Sequence, residues 1–172
     1  MEDKIKLMLS NRAWAKEKLE VDNDYFTNLA KDQNPDYLWI GCSDSRVPAN
    51  EIIGAQPGEL FVHRNIANLV VHTDLNLLSV LEYAVTHLKV RHIIVCGHTG
   101  CGGVKASMTH TNYDLLNKWL RHLKDLYFHH RAEIDQIEDE TDRVNKLVEI
   151  NVIEQVNNLV KTSVVQKAWM HR

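Results

Sequence analysis

Two short groups of residues carry donors that could hold a soft metal: Cys42-Ser43-Asp44-Ser45-Arg46 and His98-Thr99-Gly100-Cys101. Cys42, His98 and Cys101 form a Cys₂His set suited to zinc (Zn2+). Structural zinc sites normally close with four protein ligands, whereas three leave a position open, so this set predicts chemistry. A dication beside water lowers the water's pKa from about 15.7 to about 7, which makes hydroxide available to attack a carbon electrophile at neutral pH. Asp44, two residues after Cys42, can accept a hydrogen bond from that hydroxide or take the fourth position itself. Arg46 can hold Asp44 through a bidentate contact. These alternatives define a switch, closed with Asp44 on the metal and open with Asp44 paired to Arg46. Gly97, Gly100, Gly102 and Gly103 permit a tight chain path and leave backbone N–H groups at a helix start, where a small anion is stabilised.

Each ligand group begins where a predicted strand ends. The apolar runs 37–42 and 59–63, the second after the turn at Gln56-Pro57-Gly58, read as buried strands, and the β-branched run 92–96 reads as a third strand. Between the last two, Leu77, Leu78, Leu81, Ala84, Val85 and Leu88 recur at helical spacing, with Thr73 as the expected cap. This β-α-β pattern predicts an α/β fold with a mostly parallel central sheet flanked by helices, whose ligands meet beyond the carboxyl ends of the strands. Residues 1–30 read as one or two amphipathic helices, a helical arm (1–35) before the zinc-binding α/β domain (36–172). Two further helices follow, one from Leu115 to Leu126 and one from Val144 to Val160, with an acidic solvated loop over 133–142 between them.

The bulk properties narrow the function. A chain of 172 residues with 44% hydrophobic content fits one globular unit. A net charge of -3 offers no basic surface for phosphates, so no nucleic-acid partner is expected. No stretch reaches the roughly 20 apolar residues of a membrane span. Three cysteines are too few and too odd a number for a disulfide framework, and the acids near the start do not suit a transit peptide, so a cytoplasmic location is expected. Cys96 reads as a core strand residue, and His110, His129 and His130 as exposed polar positions.

Cys42-x-Asp44-x-Arg46 followed by His98-x-x-Cys101-Gly-Gly resembles the signature of the β-class carbonic anhydrases. The resemblance takes in the stretches 39–48, 57–68 and 82–85. It implies a lyase, carbonate dehydratase, in which zinc-bound hydroxide attacks carbon dioxide in a reversible hydration to bicarbonate and a proton. It further implies Cys42, His98 and Cys101 as zinc ligands, Asp44 and Arg46 as the catalytic dyad, and the Gly102 amide as a substrate contact. Gln33 and Tyr83 would line the substrate cleft at a dimer interface, Gln33 from the partner, in a homodimer or a tetramer built of dimers. Trp39 and Arg64 resemble two members of the bicarbonate regulatory site of the bacterial-type subgroup. Against that family the chain reads as truncated at its C-terminus, without the further strand and helices of typical members. Hydrolysis of carbon disulfide or carbonyl sulfide, and a silent zinc or bicarbonate module, are the alternative readings.

Overall fold

A computed structural model describes residues 2–170. The chain divides into two compact units, Met1–Asn34 and Pro35–Arg172. The first holds α1 (Glu2–Val21) and α2 (Tyr25–Lys31), and within it Trp14 meets Phe26 edge-on at 5.6 Å between ring centroids. The expected amphipathic pattern fails in α1. Its apolar residues are spread around the axis and none is buried, with Ile5, Leu7, Met8 and Leu9 all exposed.

The second unit is built on three strands, β1 (Tyr37–Cys42), β2 (Leu60–Asn65) and β3 (His92–Cys96), in the order β2-β1-β3 and all parallel. Gly41 pairs with Arg64 on one side and Cys96 on the other, so the chain emerges from all three strands at one edge of the sheet. From β1 the path runs through α3 (Ala49–Ile53) to β2. It then passes a tight turn (Ile66–Asn68), α4 (Leu75–Glu82) and a π turn (Tyr83–His87), and reaches β3 on the far side of β1. The connection from β1 leads to β2 and the one from β2 crosses back past β1 to β3, and such a reversal of direction opens a crevice at the strand ends, the usual ligand position in such sheets. After β3 come α5 (Gly102–Ser107), α6 (Leu115–Ile134), α7 (Glu140–Val160) and α8 (Ser163–Met170). None of the described helices is long and apolar enough to cross a membrane.

Flanked on both sides, β1 needs apolar side chains throughout, and its residues Leu38 to Cys42 are all buried. Leu38 and Ile40 pack with Leu77, Leu81, Ala84, Leu159 and Val165. A second core lies toward the carboxyl ends, where Cys42, Ala67, Cys101 and Val104 meet Leu120, Leu123 and Leu126 of α6 and Val144, Leu147 and Val148 of α7. The two candidate ligand cysteines therefore sit on a packed base. Leu123 is fully buried there, and Leu123→Ala is expected to destabilise the fold by about 2–5 kcal/mol in chemical denaturation, the range for removing a core leucine.

Three local expectations are corrected. Asp74 rather than Thr73 caps α4, its carboxylate accepting the Asn76 N–H at 3.0 Å. The acidic loop is shorter than the expected 133–142 and spans 135–139, because α6 runs to Ile134 and α7 starts at Glu140 with Asp139 as its cap. Acids in the first turn of α7 suit the positive end of the helix dipole, which explains the charge just beyond the loop. The second strand ends two residues later than expected and so includes Arg64 and Asn65.

The start of β1 is tied to β3 by Asp36, whose carboxylate pairs with Arg91 in a two-point contact and whose carbonyl accepts the Arg91 and His92 N–H groups. The Arg91 guanidinium holds the Asp36 carboxyl below its ordinary 3.8. A carboxyl depressed on folding contributes stability above its unfolded value and loses it as pH falls through the folded value. The melting temperature should therefore drop as pH is lowered below about 4, and Asp36→Asn should reduce that drop. The pair is half exposed, so its share is small.

Candidate metal centre

Cys42 is the last residue of β1, His98 lies two residues beyond β3, and Cys101 immediately precedes α5. The sheet register brings the three together: their ligand atoms all lie within 4.8 Å of one another. The two sulfurs are 3.8 Å apart, too far for a disulfide, and all three cysteines are free. Two thiolates bound at about 2.3 Å on a tetrahedral ion would stand ~3.8 Å apart, so the sulfurs fit zinc without rearrangement. Among the described residues this is the one such group of potential ligands.

His98 is oriented by its own loop. Its Nδ1 donates to the Thr99 carbonyl at 3.0 Å, which leaves the Nε2 lone pair available. That Nε2 is buried and has no hydrogen-bond partner, and the Asp44 Oδ2, at 3.7 Å, is beyond bonding reach. An orphaned buried acceptor is costly unless something binds it, and a metal ion between Nε2 and the two sulfurs resolves it. Gly100 supports the turn between His98 and Cys101 with φ of 63°, a left-handed conformation that side chains disfavour.

Electrostatics point the same way. The Cys101 thiol donates to the Cys42 sulfur and, with the Asp44 and Ala67 N–H groups, lowers the Cys42 pKa to about 5 despite burial. Cys101 moves in the opposite direction, because a thiolate beside it and burial both oppose its ionisation. Two adjacent thiolates are stable only with a cation between them, and metal binding is what releases the second proton.

Asp44 lies beside the cluster. Arg46 reaches it with Nε on Oδ1 at 2.9 Å and Nη2 on Oδ2 at 2.7 Å, and the Arg46 N–H also donates to Oδ1. This bidentate grip holds the Asp44 carboxyl well below the usual carboxylate range. Arg46 Nη2 also donates to the Gly100 carbonyl at 3.2 Å, so one guanidinium joins the two ligand loops. Of the two arrangements expected for Asp44, the structure has it paired to Arg46.

The remaining sequence candidates are spread more widely. Gly102 opens α5, where its N–H lacks an intrahelical acceptor and space lies open beside its Cα. Trp39 and Arg64 share one face of the sheet, a register step apart. Trp39 is buried across Gly41, while Arg64 donates through Nε to the Cys42 carbonyl at 2.8 Å and through Nη2 to the Asp44 carbonyl. The Tyr83 ring lies tilted against those of Phe61 and His87, with centroids 5.8 and 5.3 Å away. Phe61 pairs with Leu38, four residues before Cys42, so the strand position against which Tyr83 packs lies ~13 Å before the Cys42 end of the sheet at about 3.3 Å per residue. Gln33 belongs to the first unit, with its N–H on the Asp32 carboxylate at 2.8 Å.

The sequence reading missed the outer supports. Asn145 Oδ1 accepts the Gly100 N–H at 3.0 Å, and Asn151 Nδ2 donates to the Ala67 carbonyl at 3.0 Å. The available signal was a set of amides within the apolar stripe of α7.

Comparison with known proteins agrees with this centre. The family described as Carbonic anhydrase matches residues 37–172. A carbonic anhydrase of Emericella nidulans is 56% identical over 164 residues, which cover 95% of this chain and 72% of that protein. One from Saccharomyces cerevisiae is 34% identical over 170 residues, covering 94% of this chain and 76% of its own length. Among solved structures, a tetrameric β-carbonic anhydrase of Sordaria macrospora aligns with a TM-score of 0.97 at 42% identity, covering all of this chain (100%) and 88% of that one. Given a Cys₂His cluster at the ends of parallel strands, a family match across the whole α/β unit and a shared fold, this chain belongs to the β class of the carbonic anhydrase family.

Proposed function

We propose that the chain catalyses the zinc-dependent, reversible hydration of carbon dioxide to bicarbonate and a proton, as a carbonate dehydratase. The observation that carries this reading is the preformed Cys42-His98-Cys101 cluster with a charged Asp44-Arg46 pair at its side. Cys42, His98 and Cys101 would hold the zinc. When bound, zinc supplies Lewis acidity that makes water a nucleophile near neutral pH. Asp44, kept ionised by Arg46, is an acceptor that fixes one proton of the attacking water and so aims an oxygen lone pair at the carbon. Its depressed pKa makes Asp44 an orienting group, and the proton that is lost goes to solvent. The Gly102 N–H supplies a donor for the negative charge that develops on the substrate oxygen.

Gln33 and Tyr83 are proposed to line the cleft at a dimer interface, Gln33 from the neighbouring subunit, in a homodimer or a tetramer of dimers. Two observations support assembly: the solved Sordaria macrospora relative is tetrameric, and α1 has 20 residues and buries none of them, a condition in which an isolated helix is marginal. A bicarbonate regulatory site of the bacterial-type subgroup at Trp39 and Arg64 is supported by their common sheet face. The relatives compared above are fungal, and Arg64 is already engaged by the Cys42 loop. A cytoplasmic location is supported by a ligand set that works only as reduced thiolates.

Exchange of labelled oxygen between bicarbonate and water tests the reaction at equilibrium. Zinc-loaded protein should accelerate loss of label in proportion to its concentration; zinc-loaded protein that leaves the buffer rate unchanged would overturn the proposal.

A further inference from the structure

Helix α7 carries a row of amide side chains that the chemistry above does not use. Asn151 is fully buried, and Gln155 is 4% exposed. Gln155 Nε2 donates to Asn151 Oδ1 at 2.9 Å, Asn151 Nδ2 donates to the Ala67 carbonyl, and Gln155 Oε1 accepts the Val70 N–H at 2.7 Å. One turn and a half earlier on the same helix, Asn145 accepts the Gly100 N–H. Amides placed at this depth are kept only where their hydrogen bonds are satisfied.

Their partners are the backbone of the Ala67 turn after β2 and of the His98–Cys101 loop. Ala67 and Asn68 both have left-handed backbones, with φ of 63° and 48°, although neither is glycine. The Ala67 N–H in that turn is one of the groups facing the Cys42 sulfur. Gly100 directly precedes Cys101, and its carbonyl receives Arg46. Between these contacts α7 approaches the end of β3 so closely that a Cβ on Gly97 would come within 2.6 Å of Val152. One helix face thus reaches the supports of Cys42 and of Cys101.

We propose that Asn145, Asn151 and Gln155 are positioning residues for the metal centre: Asn151 and Gln155 hold the Ala67 turn that presents its N–H to the Cys42 sulfur, and Asn145 holds Gly100 beside Cys101. The inference rests on the zinc reading above. It differs from a simple packing role in that the amides set the geometry and donor strength of the sulfurs as well as the stability of the fold. Hydrogen-bond partners behind metal ligands act in this way, and their loss typically weakens metal binding about 10–100-fold.

The test is chelator competition for zinc on the full chain, together with the thiolate-to-metal absorption band of the cobalt-substituted protein. Asn145→Ala and Asn151→Ala should each weaken zinc about 10–100-fold and move the cobalt band. Leu81→Ala, a core change away from both loops, should lower thermal stability and leave both readouts unchanged. Should Asn151→Ala not fold, Asn145→Ala carries the test, because its partner Gly100 is exposed. Folded amide variants with unchanged affinity and band overturn the inference and leave the zinc reading intact, as does equal weakening by Leu81→Ala. Failure of the unmodified chain to bind either metal overturns both.

Discussion

Cys101→Ser is expected to yield a folded protein that retains almost no zinc and hydrates carbon dioxide at close to the uncatalysed rate. A serine hydroxyl is a harder donor than sulfur and is not ionised at neutral pH, so the site would fall to one thiolate and one imidazole. Loss of a supporting hydrogen bond alone costs about 10–100-fold in metal affinity, and removal of a ligand should exceed that. The exchange changes one atom at a buried position, so the fold should survive, and circular dichroism can verify it. Metal analysis alongside the hydration rate decides the result. A variant with full zinc content would remove Cys101 from the ligand set.

Asp44→Asn should separate metal binding from turnover. The substitution keeps the shape of the side chain but turns an amide N–H₂ toward one arm of the Arg46 fork, breaking the bidentate pair. The acceptor that aims the nucleophile loses both its charge and its fixed orientation. Zinc content should remain near that of the unmodified protein, while kcat/KM falls by about 10²–10³, the range for loss of one preorganised polar group in a catalytic site. Arg46→Lys should show part of the same loss, since a lysine ammonium cannot reproduce two parallel hydrogen bonds. Stopped-flow hydration on zinc-quantified protein gives both numbers. An Asp44→Asn variant with undiminished turnover would leave the dyad without a role in the reaction.

The ligands and the sheet were legible in the sequence for one physical reason. Sheet strands packed under helices need continuous apolar runs, and Tyr37-Leu38-Trp39-Ile40 and Ile93-Ile94-Val95 supply them, in the buried central β1 and the half-buried edge strand β3, each ending at a conspicuous Cys or Gly-His. The end of β2 was less visible, because Arg64 and Asn65 are polar side chains that serve backbone partners in neighbouring loops. The left-handed turn at Ala67 and Asn68 carried no glycine to mark it. Its support, Asn151, lies 84 residues away along the chain, and no local pattern encodes such a contact. The amides of α7 interrupt an apolar stripe, and only the fold shows which carbonyl and N–H groups they meet. Tyr83 shows a different limit: only resemblance marked it as a cleft residue, and inside the chain it packs on Phe61.

The most direct test of the zinc reading is titration of metal-free protein with zinc while carbon dioxide hydration is followed. With a single ligand cluster among the described residues, the rate should rise linearly and stop at one zinc ion per chain. Activity in the metal-free protein, or a fully loaded protein with no activity, would contradict it.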